Sequence, residues 1–455
     1  MLLQDFQEEE EEDSWTTYEL LVDTGLDETF VFGDGLLLVD SKSKNLNTGM
    51  RGRIEWPNTD SAEATSHSFI HRGPFDPKLS NDVLGTKGKT AEIDFADGCV
   101  AQMGLLQPRM CKIYCYDHRQ KERARIDLTW QFGAAFAVDS VLINDPNDGI
   151  LGLGLTDFQM AYKSSQNDWC PRSFLEAMRS RLRRVSGSRP EETIALYFAI
   201  RMAPLYYQQT RQLQYEQLGV PIQSWMSFNR WPCSKEPQWN EDKIVVYGAG
   251  PVAYTKQWAV YLRSIRFYPL DPTVHRPQLD TSLMPVYGAM LNFVDNNSPR
   301  GLKVLLDTGA SISRLPLQYI QQINRELCMQ KNTINPVRDG IPRETYEISH
   351  HVDNQDLKIQ VLYEFEGANG SVVKVYGPFE TCFYQRHNGR NEALIFPQRP
   401  SRTYGVFGLN FFQSMYISLH KTLDSGANFV RMAAQWPENF EADLQGYNVP
   451  GLSAT

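Results

Sequence analysis

The sequence predicts an all-β fold in which one pattern occurs twice. Two apolar runs end in the same triplet: Leu20-Leu21-Val22-Asp23-Thr24-Gly25 and Leu305-Leu306-Asp307-Thr308-Gly309. Such a run predicts a buried strand, and the glycine predicts a tight turn directly after it. The 31 glycines and 25 prolines are scattered along the chain, which favours many short strands joined by turns. Each triplet therefore delivers one carboxylate to the end of a buried strand.

Two carboxylates placed in this way predict acid–base chemistry. When two carboxylates lie close together they repel each other and share one proton, so one acts as a general acid and the other as a general base. A water molecule between them is then activated without a metal ion or a covalent nucleophile. One Asp-Thr-Gly triplet is an ordinary strand exit. The second copy, with the same apolar run before it, is what indicates a site.

Two further motifs give the chain a resemblance to the pepsin-type aspartic proteases. Ile150-Leu151-Gly152 follows the first triplet, and Val406-Phe407-Gly408 follows the second. In that family an apolar-apolar-glycine element packs beneath each Asp loop, and the order of the four elements here matches two related lobes. The resemblance implies a bilobal, pepsin-like fold with two β-rich lobes, a central cleft and a few short helices.

The resemblance also implies an aspartic-type endopeptidase and gives each site residue a role. Asp23 and Asp307 would be the catalytic pair: one takes a proton from a bound water, and the other, protonated, polarises the peptide carbonyl. No metal or other cofactor is expected. The supporting residues would be Thr24, Gly25, Thr308 and Gly309. The substrate-binding residues would be Leu26, Phe30, Phe95 and Ser311.

Three substitutions beside the first triplet depart from the family pattern. Leu26 stands where the family has Ser, Phe30 where it has Trp, and Phe95 where the flap over the site has Tyr. In the family these side chains form one hydrogen-bond network. Replacing all three with apolar groups avoids stranding a buried polar partner, which costs about 1–3 kcal/mol. It also removes groups that order the flap and the water, so the alternative function is a weak or inactive homologue that binds peptides or proteins.

The order of the motifs predicts how the chain is divided. An acidic disordered tail (1–14) precedes an N-terminal lobe (15–197), which is followed by a C-terminal lobe (198–442) and a second tail (443–455). The flap is predicted at 91–98, where alternating apolar residues lead into an Asp-Gly turn. A helix is predicted over 171–184, with Arg179, Arg181, Arg183 and Arg184 on its solvated face. The family has a strand before its first Asp loop, whereas only about a dozen mostly acidic residues precede Trp15 here. Either the sequence begins late, or the lobe is built without that strand.

Composition and charge limit the partners. A net charge of −9 argues against nucleic acid as a partner. The resemblance implies a monomer whose partner is a peptide or protein substrate. No apolar run reaches the length of a membrane span. The first residues lack the basic and apolar regions of a signal peptide. The resemblance nevertheless implies a secreted, vacuolar or lysosomal protein.

Seven cysteines are too few to define a disulfide scaffold. The family bridges its C-terminal lobe after the second Asp loop, so the resemblance implies a disulfide between Cys328 and Cys382. Cys111 and Cys115, with His118 nearby, fit a bridge or two thiols on a strand better than a zinc site, because no fourth ligand is evident.

Overall fold

A computed structural model gives the structure of the chain. Its fold is all-β, with many strands and few helices. The chain divides into two compact units, Met1–Pro190 and Glu191–Thr455, whereas the sequence predicted the boundary after residue 197. The described residues are 2–4, 16–39, 69–70, 90–95, 99–117, 122–139, 142, 147–162, 170–186, 196–201, 225–228, 242–246, 257–269, 291–326, 329–333, 344–348, 359–379, 382–387, 390–400, 402–421 and 428–435.

The described residues of the first unit form two sheets and one long helix. A four-stranded sheet has the order β2-β1-β8-β9. A seven-stranded sheet has the order β3-β11-β4-β10-β7-β6, with β5 paired to β4. The elements are β1 (Leu2–Gln4), β2 (Thr16–Thr17), β3 (Leu20–Asp23), β4 (Phe30–Val39), β5 (Phe69–Ile70), β6 (Thr90–Asp94), β7 (Val100–Leu105), β8 (Arg109–Asp117), β9 (Glu122–Trp130), β10 (Gly133–Asp139), β11 (Gly149–Gly152) and helix α1 (Phe174–Ser186).

A strand does precede the first Asp loop, so the alternative of a lobe built without that strand is wrong. Leu2–Gln4 pairs antiparallel with both β2 and β8. The prediction of a disordered tail over 1–14 is wrong for these three residues, because the apolar Leu2 and Leu3 join a sheet. The acidic run from Glu8 to Asp13 lies outside the described residues, as does the predicted tail at 443–455.

The predicted hairpin and helix of the first unit both form. Strands β6 and β7 are antiparallel, and the Phe95 N–H donates to the Cys99 carbonyl at 2.9 Å near the turn. Helix α1 begins at Phe174, after Pro171. The prediction of a solvated Arg179 is wrong, since this side chain is buried and forms ion pairs with Glu176 and Asp157. An apolar stripe alone did not reveal that pairing.

The second unit contains three sheets of five, eight and four strands. Their orders are β13-β12-β27-β28-β14, then β22-β21-β15-β17-β26-β18-β25 with β16 paired to β15, and β19-β20-β24-β23. The strands are β12 (Leu196–Arg201), β13 (Trp225–Phe228), β14 (Ile244–Val245), β15 (Ala259–Pro269), β16 (Leu291–Asn292), β17 (Leu302–Leu306), β18 (Ser313–Leu315), β19 (Met329–Thr333), β20 (Glu344–Ile348), β21 (Ile359–Glu366), β22 (Val372–Pro378), β23 (Tyr384–His387), β24 (Arg390–Ala393), β25 (Ile395–Pro397), β26 (Gly405–Phe407), β27 (Met415–Lys421) and β28 (Phe429–Ala434). The helices are α2 (Leu317–Glu326) and α3 (Leu409–Ser414).

Cys382 lies in the aromatic core of this unit, and the predicted Cys328–Cys382 disulfide is wrong. Cys382 is a free, fully buried thiol, while Cys328 lies outside the described residues. The Tyr363 hydroxyl donates to Cys382 Sγ at 3.2 Å. Burial raises the pKa of the Cys382 thiol to about 12, so it stays protonated and serves as a packing group.

The second cysteine prediction concerned Cys111, Cys115 and His118. Cys111 is buried on β8, and burial raises the pKa of its thiol to about 12. His118 lies outside the described residues. Within the described part of the chain, no three His, Cys, Asp or Glu side chains are grouped so that they could hold a metal ion.

Candidate functional site

The first Asp loop begins where β3 ends. Asp23 is only 6% exposed, and Thr24 is fully buried. The Gly25 N–H donates to Asp23 Oδ1 at 2.7 Å, and the Leu153 N–H donates to the Asp23 carbonyl at 2.7 Å. The first of these bonds closes a short turn of the side chain onto its own backbone. Together the two bonds fix both the carboxylate and the backbone of Asp23.

A second strand runs between the two sides of this loop. Strand β11 pairs parallel with β3, placing Gly152 opposite Asp23, and antiparallel with the start of β4. A Cβ on Gly152 would fall on the carbonyl oxygen of Glu28, so only glycine fits. The Gly152 N–H donates to the buried Thr29 hydroxyl at 3.0 Å. The predicted apolar-apolar-glycine partner of the first loop is therefore in place.

The second Asp loop repeats this geometry within its own unit. The Gly309 N–H donates to Asp307 Oδ1 at 2.9 Å, and the Asp307 N–H donates to the Phe407 carbonyl at 3.0 Å. Strand β26 pairs parallel with β17 and antiparallel with β18. The next strand is also parallel in both units: β10 lies beside β4, and β25 lies beside β18.

The close approach of a glycine to the backbone of the Asp loop is also repeated in the second unit. A Cβ on Gly408 would meet the carbonyl oxygen of Ala310 and the backbone of Ile312. The Gly408 N–H donates to the buried Ser313 hydroxyl at 3.0 Å. Ser313 and Thr29 occupy the same offset from their aspartates. Each loop thus has a buried hydroxyl that accepts a hydrogen bond from the glycine N–H.

Carboxylates support the first loop from behind. The segment Thr156–Tyr162, here called the clamp segment, contacts three consecutive residues of the loop. The Thr156 N–H donates to Asp27 Oδ1 at 3.0 Å, and the Ala161 N–H donates to Glu28 Oε1 at 2.7 Å. The Thr29 N–H donates to Gln159 Oε1 at 3.2 Å. Asp27 and Glu28 are buried, and these bonds offset part of their desolvation.

The carboxamide of Asn410 supports the second loop. The Ser313 hydroxyl donates to Asn410 Oδ1 at 2.8 Å. Asn410 Nδ2 donates to the carbonyls of Cys382 at 2.6 Å and Leu394 at 3.2 Å. Asn410 is buried, and both amide hydrogens have an acceptor. The loop hydroxyl, the glycine and two separate backbone segments are joined in this way.

The three apolar departures from the family pattern lie in one cluster of the first unit. Phe30 is fully buried within it, and the partly buried Leu26 and Phe95 pack against it. Leu26 and Phe95 therefore have surface that a substrate could touch. Phe30 has none and supports them from below.

The same cluster contains a phenol that sequence reasoning missed. Tyr162, at the end of the clamp segment, is buried, and among the described residues its hydroxyl has no hydrogen-bond partner. Burial raises the pKa of Tyr162 well above its usual value, and the Glu28 carboxylate raises it further. A Cβ on Gly133 would overlap the Tyr162 hydroxyl, so this glycine makes room for it.

The second loop lies against a smaller cluster. Ala259, Leu305 and Val406 form it, with the partly buried Ala310 and Tyr404 at its edge. Arg314 occupies the offset that Phe30 has in the first loop, and it is exposed. Ser311 is exposed, while Thr308 is buried.

The predicted site residues fall into two groups, one in each unit. Asp23 is accompanied by Thr24, Gly25, Leu26, Phe30 and Phe95, and Asp307 by Thr308, Gly309 and Ser311. The residues that sequence reasoning missed are Asp27, Glu28, Thr29, Gln159, Tyr162, Ser313 and Asn410. The only sequence signal for any of them was that polar residues follow each triplet after one apolar residue: Asp27-Glu28-Thr29 in the first loop, and Ser311 and Ser313 in the second.

Neither a family model nor a curated protein matches this chain. The described helices include none that combines the length and the apolar character needed to cross a membrane.

Proposed function

We propose that the chain is an aspartic-type endopeptidase of the pepsin-like kind. One observation carries the proposal: both Asp-Thr-Gly loops have the same local geometry, each in its own unit. In both, the second residue after Asp donates its N–H to the Asp carboxylate, and an apolar-apolar-glycine strand runs parallel to the strand before it. A duplicated, fixed carboxylate is what a two-carboxylate mechanism needs. A bilobal pepsin-like architecture is part of the same proposal.

In the proposed reaction, Asp23 and Asp307 act on one water molecule. The ionised carboxylate takes a proton from the water while the oxygen of that water bonds to the peptide carbonyl carbon. The protonated carboxyl gives its proton to the carbonyl oxygen, which produces a tetrahedral diol. When the carbon–nitrogen bond breaks, the nitrogen leaves with a proton, and the pair returns to one ionised and one protonated group. The hydrogen bonds from Gly25 and Gly309 keep each carboxylate in one orientation throughout.

The second candidate function is a weakly active or inactive homologue that binds peptides or proteins. The apolar cluster of Leu26, Phe30 and Phe95 favours it, because these positions offer no hydrogen bond to a catalytic water. The buried, well-satisfied support of both loops favours the enzyme. A protein that only binds has no need for two carboxylates held to this degree, since an unpaired buried carboxylate is unfavourable.

The test is proteolysis of an unfolded protein across acidic to mildly basic pH, with and without a statine-type inhibitor. We expect inhibitor-sensitive cleavage in an acidic window, because the pair works only while one carboxylate is ionised and the other protonated. Asp23→Asn and Asp307→Asn should each reduce the rate by about 10²–10⁴-fold or more.

Asp127→Asn is the matched control. Asp127 pairs with Arg125 on β9, a strand of the four-stranded sheet that does not contain the Asp loop, so the rate of this variant should not change. If the wild-type chain binds the inhibitor but cleaves nothing at any pH, the binding protein is the better description. If either Asn variant keeps full activity, the proposed pair is wrong.

A further inference from the structure

A cluster of cations surrounds one phenylalanine on the five-stranded sheet of the second unit. Phe429 on β28 lies directly opposite His420 on β27, and Arg431 follows two residues later on the same strand. Side chains alternate between the faces of a strand, so Phe429 and Arg431 share one face. Lys243 is the residue directly before β14. Strand β14 pairs with β28 on the side opposite to β27.

The ring of Phe429 is the common neighbour of all three basic groups. The His420 imidazole stacks on it with centroids 4.2 Å apart and planes 13° from parallel. Lys243 Nζ lies 4.6 Å from the ring centroid, and Arg431 Cζ lies 5.6 Å from it. Two full positive charges therefore converge on one aromatic side chain beside a histidine.

No described acidic side chain neutralises these charges. Among the described residues, neither Lys243 nor Arg431 has a carboxylate within ion-pair distance, and Arg431 Nε is buried with no acceptor. The field of the two cations also acts on His420. Burial, followed by Arg431 and Lys243, lowers the pKa of His420 to about 3, so the imidazole is neutral near pH 7. The cluster contains donors and positive charge but no negative charge.

We propose that Lys243 and Arg431 bind the phosphoryl group of a small molecule beside the ring of Phe429. A dianionic oxyanion balances two cations, and the two terminal nitrogens of a guanidinium can donate to it in a fixed, forked geometry. Lys243 is exposed, which gives the ligand an entrance, while Arg431 is half-buried and holds it. The site is on a different sheet from Asp307 and does not depend on the proposed protease activity.

The experiment uses inorganic phosphate as the probe and the full chain at pH 7. Phosphate should bind saturably, raise the melting temperature relative to chloride at equal ionic strength, and shift the His420 imidazole resonance. That resonance is identified by its absence in His420→Asn. Sulfate should act like phosphate, whereas acetate, with one charge, should bind at least tenfold more weakly.

Lys243→Gln should abolish saturable phosphate binding without affecting folding, because its side chain is exposed. Arg431→Gln should do the same, and its folding is checked by the unshifted resonances of distant histidines. Lys374→Gln is the control, because Lys374 is ion-paired to Glu364 on another sheet. This variant protein should bind phosphate as the wild type does. The proposal is overturned if phosphate binding is non-saturable, if it persists in Lys243→Gln, or if acetate binds as tightly. Phosphate binding, the melting temperature and the His420 resonance do not measure proteolysis. A failure of this proposal is therefore distinguishable from a failure of the proposed protease function.

Discussion

The two Asp loops share a backbone geometry but differ in what stands behind it. In the first, the buried carboxylates of Asp27 and Glu28 accept N–H groups from the clamp segment, in addition to the carboxamide of Gln159 that accepts from Thr29. In the second, the buried carboxamide of Asn410 accepts from Ser313 and donates to two carbonyls. The features that stay the same are the glycine, the hydroxyl that accepts from it, and the strand order. These features therefore define the loop, while the support behind it can vary.

The loops also differ in their surroundings. Asp23 is buried beside a large apolar cluster that includes Phe30 and receives Phe95 from the β6–β7 hairpin. Asp307 is half-buried, and its neighbours Gly309 and Ser311 are exposed. The position that the buried Phe30 occupies after Asp23 is occupied after Asp307 by the exposed Arg314. If the two carboxylates work as a pair, they do so from unequal environments.

The largest effect is expected where the loops are most alike. Gly152→Ala and Gly408→Ala should each destabilise their own unit by about 4 kcal/mol or prevent its folding, because the new methyl group overlaps backbone atoms that cannot move aside. Urea unfolding measures the loss. Gly370→Ala is the control: Gly370 has a φ of 74° but open space around it, so it should cost only about 1–2 kcal/mol. A tolerated Gly152→Ala would mean that the two loops are not equivalent.

Exchanging a carboxamide for a carboxylate in one loop, and the reverse in the other, should change the free energy of unfolding by different amounts. Asn410→Asp puts a carboxylate against the carbonyls of Cys382 and Leu394, so it should cost about 3 kcal/mol or more. Asp27→Asn keeps an oxygen that can accept from Thr156, so it should cost about 1 kcal/mol. The measurement is the free energy of unfolding of each variant. Equal costs would show that the amide hydrogens of Asn410 contribute nothing.

Removing the two hydroxyls should produce a smaller difference. Thr29→Val leaves the Gly152 N–H without an acceptor, at about 1–3 kcal/mol. Ser313→Ala does this to Gly408 and also strands Asn410 Oδ1, so its cost should be the larger of the two. Hydrogen exchange of the Gly152 and Gly408 amides reports each loop directly. Unchanged protection in either variant would rule out the hydroxyl as the support of that amide.

The smallest effect is expected at Phe95. This side chain is half-buried, so the hydroxyl of Phe95→Tyr can reach solvent, and stability should change by less than about 0.5 kcal/mol. Any proteolytic rate should improve little, because Phe30 offers the new hydroxyl no partner. Adding Phe30→Trp should couple with it, and a double-mutant cycle on kcat/KM measures the coupling. Additive effects would show that the two positions do not communicate.

The backbone of the candidate site could be predicted from sequence, but its polar support could not. The strands ending at Asp23 and Asp307 are apolar runs, their glycines mark close approaches, and the β6–β7 hairpin has an alternating pattern. All of these signals are local. Asp27, Gln159 and Asn410 are polar residues that are buried because of partners far away in the chain, and single-residue propensity predicts them to be exposed.

The same limit explains the errors. The Cys328–Cys382 disulfide was an extrapolation from a family, and the aromatic core around Cys382 holds a thiol instead. Arg179 was expected in solvent because its helix has an apolar stripe, yet Glu176 and Asp157 pair with it. The short strand Leu2–Gln4 was missed because two leucines next to an acidic run form no alternating pattern. For Arg179 and for Leu2–Gln4, a contact with a residue distant in sequence, Asp157 and strand β8 respectively, outweighed the local signal.

The parallel strand that completes each Asp loop has a consequence for how the chain is made. The hydrogen bond from Gly152 to Thr29 joins residues 123 positions apart, and that from Gly408 to Ser313 joins residues 95 apart. Pairings this distant form late in folding, because a long chain segment must be closed first. On the ribosome, at about 5–20 residues per second, the first loop remains open for roughly 6–25 s after its aspartate emerges. Asp23 therefore reaches its fixed geometry only after nearly all of its unit has been synthesised, and a nascent chain carries the triplet long before it carries the site.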